Sequence, residues 1–223
     1  MEKVYYASGR MYIEKKQEIE FIDPSFLIES VIDGDKFLKD LERYGRTCYK
    51  SEEKITSESA PRFVKMLLKR GHESVIEHIC VSVRIIHDRG ISHETVRHRI
   101  ASYSQESTRY CTYNDFIEFI DCSKFLVDNE SIKEWKEVLQ FAANAYKRLL
   151  ELGNKPEIAR NVLPMSLKTE WVMTMNLREW RLFFKQRTAP DAHPQMRQIS
   201  IPLLNEFKEK IPIVFNDINS EKL

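Results

Sequence analysis

Apolar and polar residues alternate strictly from Ile79 to Ile85, with Ile79, Val81, Val83 and Ile85 on one side and Cys80, Ser82 and Arg84 on the other. A two-residue period puts successive side chains on opposite faces of an extended chain, so the segment predicts a strand with one buried face. Phe116-Ile117-Glu118-Phe119-Ile120 predicts a second strand. Another falls within Leu163 to Met175, where Trp171, Met173 and Met175 share a face. Residues 1–30 alternate only in places (Tyr12-Ile13, Ile19, Phe21) and reach Pro24, predicting strand-like segments and a turn.

Elsewhere the period lengthens to three and four. From 131 to 152, Trp135, Val138, Leu139, Ala142, Tyr146, Leu149 and Leu150 form one stripe, which predicts a helix that serves as scaffold. Gly153-Asn154 ends it, and Pro156 opens a short helix carrying Arg160. Upstream, Asp33-Gly34-Asp35 offers a turn and an N-cap for a helix through about Tyr49. A second helix begins between Ser57 and Pro61 and stops at Gly71, leaving Gly71-His72-Glu73-Ser74 as a polar loop. Ser92 is placed to cap a short helix bearing Glu94, Arg97 and His98 on one side, after which the chain enters a loop. Asn176 caps a helix to about Arg187, and a last helix covers about 193–209 with Pro202 as a kink.

Leu177, Trp180, Phe183, Phe184 and Arg187 share one side of the penultimate helix, so Arg187 stands on an apolar stripe. Such an arginine either snorkels outward or enters a cleft to meet an anion or polar ligand.

Length and composition narrow the frame. A chain of 223 residues with 42% hydrophobic and 31% charged content can bury a core as one soluble domain, 1–223. Lys+Arg total 35 against Asp+Glu 34, so no global field recruits nucleic acid and any anion site is local. The four cysteines include no C-x-x-C pair and read as reduced thiols. No apolar run approaches a membrane span and no signal segment is evident, which predicts a cytoplasmic protein with no membrane partner.

The densest chemistry lies in residues 97–110, where three arginines, one histidine, three serines and two tyrosines fall in fourteen residues. A core segment cannot look like this, because each guanidinium would need a partner to offset its desolvation. Paired arginines with hydroxyl donors suit a planar or phosphorylated anion, while an exposed polar loop is the plainer alternative.

Three other chemistries compete. His93-Glu94-Thr95-Val96-Arg97-His98 approaches the H-E-x-x-H zinc pattern. Its second histidine is at i+5, however, rotated about 140° from the first on a helix, and Arg97 and Arg99 would repel a dication. No metal is expected. Arg and Tyr together could bind a nucleic acid, against which stands the balanced charge. Ser107 lacks a G-x-S-x-G elbow, and no cysteine is singled out as a nucleophile.

Arg97-His98-Arg99, then seven residues to Ser107 and on to Arg109-Tyr110, resembles the signature of the flavin-dependent thymidylate synthases. The resemblance extends upstream to Gly71-His72-Glu73-Ser74 and downstream to Asn176 through Arg187, covering most of the chain from about residue 35. It implies an α+β fold with a central, mostly antiparallel twisted sheet packed with helices, assembled as a homotetramer with active sites at subunit contacts. It further implies conversion of dUMP to dTMP, with 5,10-methylenetetrahydrofolate as carbon donor, FAD as hydride carrier and NADPH as reductant, and with no enzyme nucleophile.

By the same resemblance, Ser74, Arg97, His98, Arg99, Gln105, Asn176, Leu177 and Arg178 would hold FAD. The substrate side would take in Glu94, Arg97, Gln105, Glu106, Ser107, Thr108, Arg109 and Arg160, with His72 near the folate or flavin. Arg187 would face the uracil ring as the catalytic residue. Three positions depart from the family: Glu94 stands where relatives often carry Gln, Thr108 replaces a frequent glycine, and Leu182 falls where some place a polar flavin contact.

Overall fold

A computed structural model describes residues 3–5, 11–13, 17–113 and 116–220, the first two segments by their backbone alone. In chain order the elements are β1 (Lys3–Tyr5), β2 (Met11–Ile13), β3 (Glu18–Ile22), β4 (Ser25–Ile28), α1 (Gly34–Thr47), α2 (Ser59–Lys69), β5 (Cys80–Asp88), α3 (Arg89–Thr95), β6 (Ala101–Gln105), β7 (Phe116–Ile120), α4 (Asn129–Glu151), α5 (Pro156–Ala159), β8 (Lys168–Asn176), α6 (Leu177–Arg187), α7 (Pro194–Lys210) and α8 (Pro212–Phe215). Short 3-10 turns intervene. The mixture of helices and largely antiparallel strands is the α+β class.

The chain divides into two compact units, Met1–Asp23 with Glu106–Lys168, and Pro24–Gln105 with Thr169–Leu223. In the second, four strands form a sheet in the order β4-β5-β8-β6. β4 runs antiparallel to β5 with Ser25 opposite Ile86, and β6 antiparallel to β8 with Ala101 opposite Met175. The alternation that predicts β5 corresponds to burial: Val81, Val83 and Ile85 are inside. Helices α1, α2, α6, α7 and α8 contribute to the same apolar core as these strands. At its centre Trp180 and Phe184 stack at 5.5 Å, with Phe183, Phe207 and Phe215 edge-on or tilted around them. Such aromatic pairs add to the stabilisation from burial alone. The Trp180 indole N–H donates to Val81 O at 3.1 Å, so the ring's one polar atom is satisfied.

The first unit pairs β3 with β7 in parallel, Glu18 opposite Phe116, and β1 with β2 antiparallel. Its core is Ile117, Phe119, Leu139, Ala143, Tyr146, Ala159 and Leu167. The sheet is therefore not one continuous structure, and one of its pairs is parallel. A parallel pair requires a long connection; here most of the second unit intervenes in sequence between β3 and β7.

Most predicted elements are present. Asp33 caps α1 by accepting from Lys36 N at 2.9 Å, and Asn176 caps α6 by accepting from Glu179 N at 2.9 Å. Gly71 follows α2 at φ +74°, a left-handed conformation in which a Cβ is strained. Several expectations need correction. Val138 is 52% exposed and leaves the buried stripe of α4. The polar loop after Gly71 becomes a 3-10 turn, Glu73–His78. The predicted last helix is present as α7, with Pro202 inside it. Among the described residues no helix is long and apolar enough to cross a membrane.

Candidate active site

β5 ends at Asp88, and Asp88, not Ser92, caps α3: its carboxylate accepts from Ile91 N at 2.7 Å. Ser92 is buried inside the helix, where its hydroxyl donates to Arg89 O. The helix stops at Thr95. Arg97 N then bonds Glu94 O at 3.3 Å and His98 N bonds Thr95 O at 3.1 Å, a tight turn in place of a further helical turn. Glu94, Arg97 and His98 accordingly do not share a helical face. The turn sends Arg97 and Arg99 outward, exposed, and His98 inward, 4% exposed.

The stretch after Arg99 is a strand, not a loop: β6 pairs with β8 from Ala101 through Gln105. Ser102 and Ser104 are its exposed positions. The Gln105 amide donates to Ser92 Oγ at 2.9 Å and to Thr169 Oγ1 at 3.1 Å, which uses both of its N–H groups and leaves the amide oxygen for other partners.

His98 and Arg187 form the centre of the second unit's site. Arg187 Nε donates to His98 Nε2 at 3.2 Å, and His98 Nδ1 lies 3.2 Å from Glu179 Oε1. A guanidinium only donates, so Nε2 is the accepting nitrogen and Nδ1 carries the proton toward Glu179. Burial, with the Arg187 charge beside it, pushes the imidazole down to about 4. The contact with Glu179 is therefore a hydrogen bond to neutral imidazole, not an ion pair. Burial also raises the Glu179 carboxyl. The Tyr103 hydroxyl lies 2.9 and 2.8 Å from the carbonyls of Thr95 and His98, which share its one proton, and burial pushes this phenol up to about 12.

Arg187 is fixed from two further directions. Nη1 donates to Glu94 Oε2 at 3.1 Å and Nη2 to Glu94 O at 3.0 Å. A guanidinium carries five N–H donors; three are taken in this way, and two have no partner among the described residues. The arginine on the apolar stripe thus enters a cluster of polar groups and keeps donors to spare.

Beside α6 lies a cleft of about 440 Å³ whose lining includes Asn176, Arg178, Ile100, Leu182, Glu73 and Glu77. Arg178 pairs with Glu77 at 2.6 Å and Glu73 at 3.7 Å. Ser74 is exposed in the same 3-10 turn as Glu73 and Glu77, and exposed His72 precedes that turn. Leu177 is fully buried and its N–H is bonded to Ile79 O, so it has no free side-chain or N–H donor to offer.

The other predicted substrate residues belong to the first unit. Glu106 accepts from the Tyr113 hydroxyl at 2.7 Å and pairs with Lys168 at 3.5 Å. Ser107 heads a turn in which Cys111 N bonds its carbonyl and Arg109 N approaches its hydroxyl at 3.3 Å. Thr108 is buried, and its hydroxyl accepts from Arg160 Nη1 at 2.7 Å. Arg109 is half exposed, 3.5 Å from Glu157, with its guanidinium 5.3 Å from the Tyr110 ring centre.

Glu179 and Tyr103 are the functional candidates that sequence reasoning missed. Asn176-x-x-Glu179 has the form of a capping box, which is a sufficient local explanation of the glutamate and hides its reach to His98. Nothing local marks Tyr103.

The chain matches the family model described as thymidylate synthase complementing protein over residues 30–213. Flavin-dependent thymidylate synthases similar to it include that of Pyrococcus horikoshii, 39% identical over 169 residues (73% of this chain, 70% of the relative). That of Geobacter sulfurreducens is 33% identical over 180 residues, 77% and 78% of the two chains. That of Kosmotoga olearia is 30% identical over 215 residues, 89% and 91%. In fold, the chain is similar to the UMP/dUMP methylase PolB of Streptomyces cacaoi bound with 5-Br dUMP, with a TM-score of 0.75, 20% identity and coverage of 89% and 95%. These matches place the chain among methyltransferases that depend on a flavin. It belongs to the flavin-dependent thymidylate synthase family.

Proposed function

We propose that the protein carries out the reductive methylation of dUMP to dTMP as a single functional domain over 1–223. In this reading 5,10-methylenetetrahydrofolate is the carbon donor, FAD the hydride carrier and NADPH the reductant. The observation that carries it is Arg187, pinned by three hydrogen bonds with two N–H donors left over, in a chain that bears the family signature.

The residues present fit FAD. Arg97 and Arg99 are exposed guanidiniums two positions apart, and neither has an acidic partner among the described residues; such a pair suits a diphosphate. Asn176 and Arg178, with Ile100 and Leu182 as apolar walls, border a cleft in which part of the cofactor could lie. Ser74 and the Gln105 amide oxygen are further candidates. His98 contributes differently from what the resemblance implies, because both of its ring nitrogens are already bonded to protein.

When bound, the reduced flavin supplies the hydride that the reaction adds to the pyrimidine. Arg187 is held beforehand with donors free, so it can stabilise negative charge on the ring without reorganising. Glu94, which stands where relatives often carry Gln, keeps its carboxylate on Arg187 and so acts on the nucleotide through that cation. Arg160 and Arg109 serve the phosphate or sugar, and Ser107 and Glu106 shape the turn that holds them. His72 lies toward the folate or flavin. In this reading no step needs an enzyme nucleophile, because the hydride added to the pyrimidine comes from the reduced flavin.

We further read the enzyme as a cytoplasmic homotetramer with active sites at subunit contacts, a reading supported by the family resemblance. The purified protein is expected to show the absorption of oxidised flavin. With methylenetetrahydrofolate and NADPH it should release tritium from [5-³H]dUMP. A colourless protein that binds no added FAD and releases no tritium would overturn the assignment.

A further inference from the structure

Glu179, His98 and Arg187 form a chain of hydrogen bonds that begins and ends on one helix. Glu179, Phe183 and Arg187 stand at i, i+4 and i+8 of α6, hence on one face. The His98 ring lies along that face. It bonds Glu179 at one nitrogen and Arg187 at the other, each at 3.2 Å, and meets the Phe183 ring edge-on at 5.0 Å. Glu179 is 6% exposed and His98 4%, so bulk water does not compete for these bonds.

We propose that Glu179 is a positioning residue for catalysis, acting through the His98 ring to fix the orientation of the Arg187 guanidinium. The proposal rests on the reading of Arg187 as the cation that faces the pyrimidine. Its logic is that of tautomers. Arg187 Nε can only donate, so the bond exists only while His98 Nε2 is unprotonated. The other neutral tautomer would set N–H against N–H, and the imidazolium would add charge repulsion to the same clash.

A free histidine side chain prefers to carry its proton on Nε2, so the surroundings must impose the Nδ1–H form. The carboxylate oxygen at Nδ1 contributes to this by accepting the proton there, as an outer carboxylate selects the tautomer of a ligating histidine. Two other charged or titratable groups complete the surroundings. Glu94 holds the far side of Arg187, and Tyr103 donates to the His98 carbonyl, which fixes the backbone under the ring. Neither contacts a ring nitrogen among the described residues, so Glu179 is the acceptor at Nδ1, and the Arg187 Nε–H at Nε2 favours the same tautomer.

The test uses the flavin-loaded full chain labelled with ¹⁵N-histidine. Long-range ¹H–¹⁵N spectra at pH 7 should show His98 protonated at Nδ1 only, with its signals assigned by their absence in His98→Asn. Glu179→Gln keeps an oxygen acceptor at Nδ1, and it should retain that tautomer with turnover within about threefold of wild type. Glu179→Leu removes the acceptor. It should populate the Nε2–H form and lower kcat by about tenfold to a hundredfold, the range expected when a reacting group is slightly misplaced. Glu179 also borders the cleft beside α6, so flavin content and the rate of flavin reduction by NADPH are measured alongside and should stay near wild type.

Wild-type His98 carrying its proton on Nε2, or on both nitrogens, would overturn the proposal. So would Glu179→Leu with a shifted tautomer and unchanged kcat. In that case Arg187→Ala locates the failure: slow turnover there would sink only the relay, and normal turnover would sink the reading of Arg187 as well. If Glu179→Leu melts early or loses flavin, the wild-type spectrum and Glu179→Gln decide the matter.

Discussion

The hydroxyl of Thr108 accepts a hydrogen bond from Arg160 Nη1 at 2.7 Å, in a position where Thr108 is 4% exposed. The family resemblance implies a frequent glycine at this point of the signature, and a glycine has no side chain to make this bond. A buried hydroxyl bonded to a cation contributes about 1.5–3 kcal/mol, enough to fix where Arg160 points. Thr108→Ala is therefore expected to raise the KM for dUMP about tenfold with a smaller effect on kcat. Thr108→Ser should restore most of the affinity. Steady-state kinetics on the three proteins checks this, and an unchanged KM in the Ala variant would remove Arg160 from the nucleotide site.

Arg97 and Arg99 leave the tight turn after α3 in the outward direction, while His98 between them turns in. Replacing both arginines by Ala should release flavin while the circular dichroism spectrum stays nearly unchanged, because neither side chain has an acidic partner to lose among the described residues. The ratio of flavin absorbance to protein after gel filtration measures this. Retention of stoichiometric flavin would count against the assignment.

How much of the fold and site is legible in the sequence depends on whether a residue's role is local. β5 and α6 can be read because their burial follows a fixed period, at Val81, Val83 and Ile85 and at Leu177, Trp180, Phe183 and Phe184. β6 cannot, since its alternating positions are filled by Ala101, Tyr103 and Gln105 on one side and two serines on the other, with little hydrophobic contrast. Ser92 is a chemically sound cap, but the strand runs on to Asp88, which reaches the helix start first. The place of Arg187 on an apolar stripe is visible. Its partners are not, because Glu94 and His98 lie 93 and 89 positions away and a single sequence does not reveal contacts at that range. For the same reason the inward turn of His98 is hidden by its two outward neighbours.

Ser107 is expected to orient the nucleotide and not to act as a covalent nucleophile. Its hydroxyl is engaged only by Arg109 N at 3.3 Å among the described residues, with no base to activate it. Ser107→Ala should weaken dUMP binding yet keep measurable turnover. Mass spectrometry of the enzyme quenched during turnover should show no nucleotide adduct on Ser107, and finding one would contradict this orienting role.

The buried imidazole makes stability depend on pH. Unfolded His98 takes up a proton near 6.5, whereas the folded chain takes it up only near 4. Between those values the unfolded state holds more protons, so stability falls as pH falls through that window. The raised Glu179 carboxyl has the opposite sign, since its folded form binds the proton more firmly, and it offsets part of the loss at the acid end. Arg187, the other charged group on the ring, does not titrate in this range. From pH 7 to 5 the His98 contribution to the loss is about 2 kcal/mol. Urea titrations should show wild type losing about that much more than His98→Asn over the same interval, and equal losses would place His98 in water.

In the proposed reaction Arg187 stabilises charge on the pyrimidine during hydride transfer. Loss of one preorganised donor of this kind lowers rates by about a hundred- to a thousandfold. Arg187→Lys should recover little, because an ammonium cannot reproduce the planar fork that contacts Glu94 and His98 together. The direct measurement is stopped-flow reoxidation of the reduced flavoprotein mixed with saturating dUMP and methylenetetrahydrofolate. Arg187→Ala is expected to bind flavin, to be reduced by NADPH as wild type is, and to reoxidise at least a hundredfold more slowly. Reoxidation at the wild-type rate would make Arg187 a structural arginine and contradict the account.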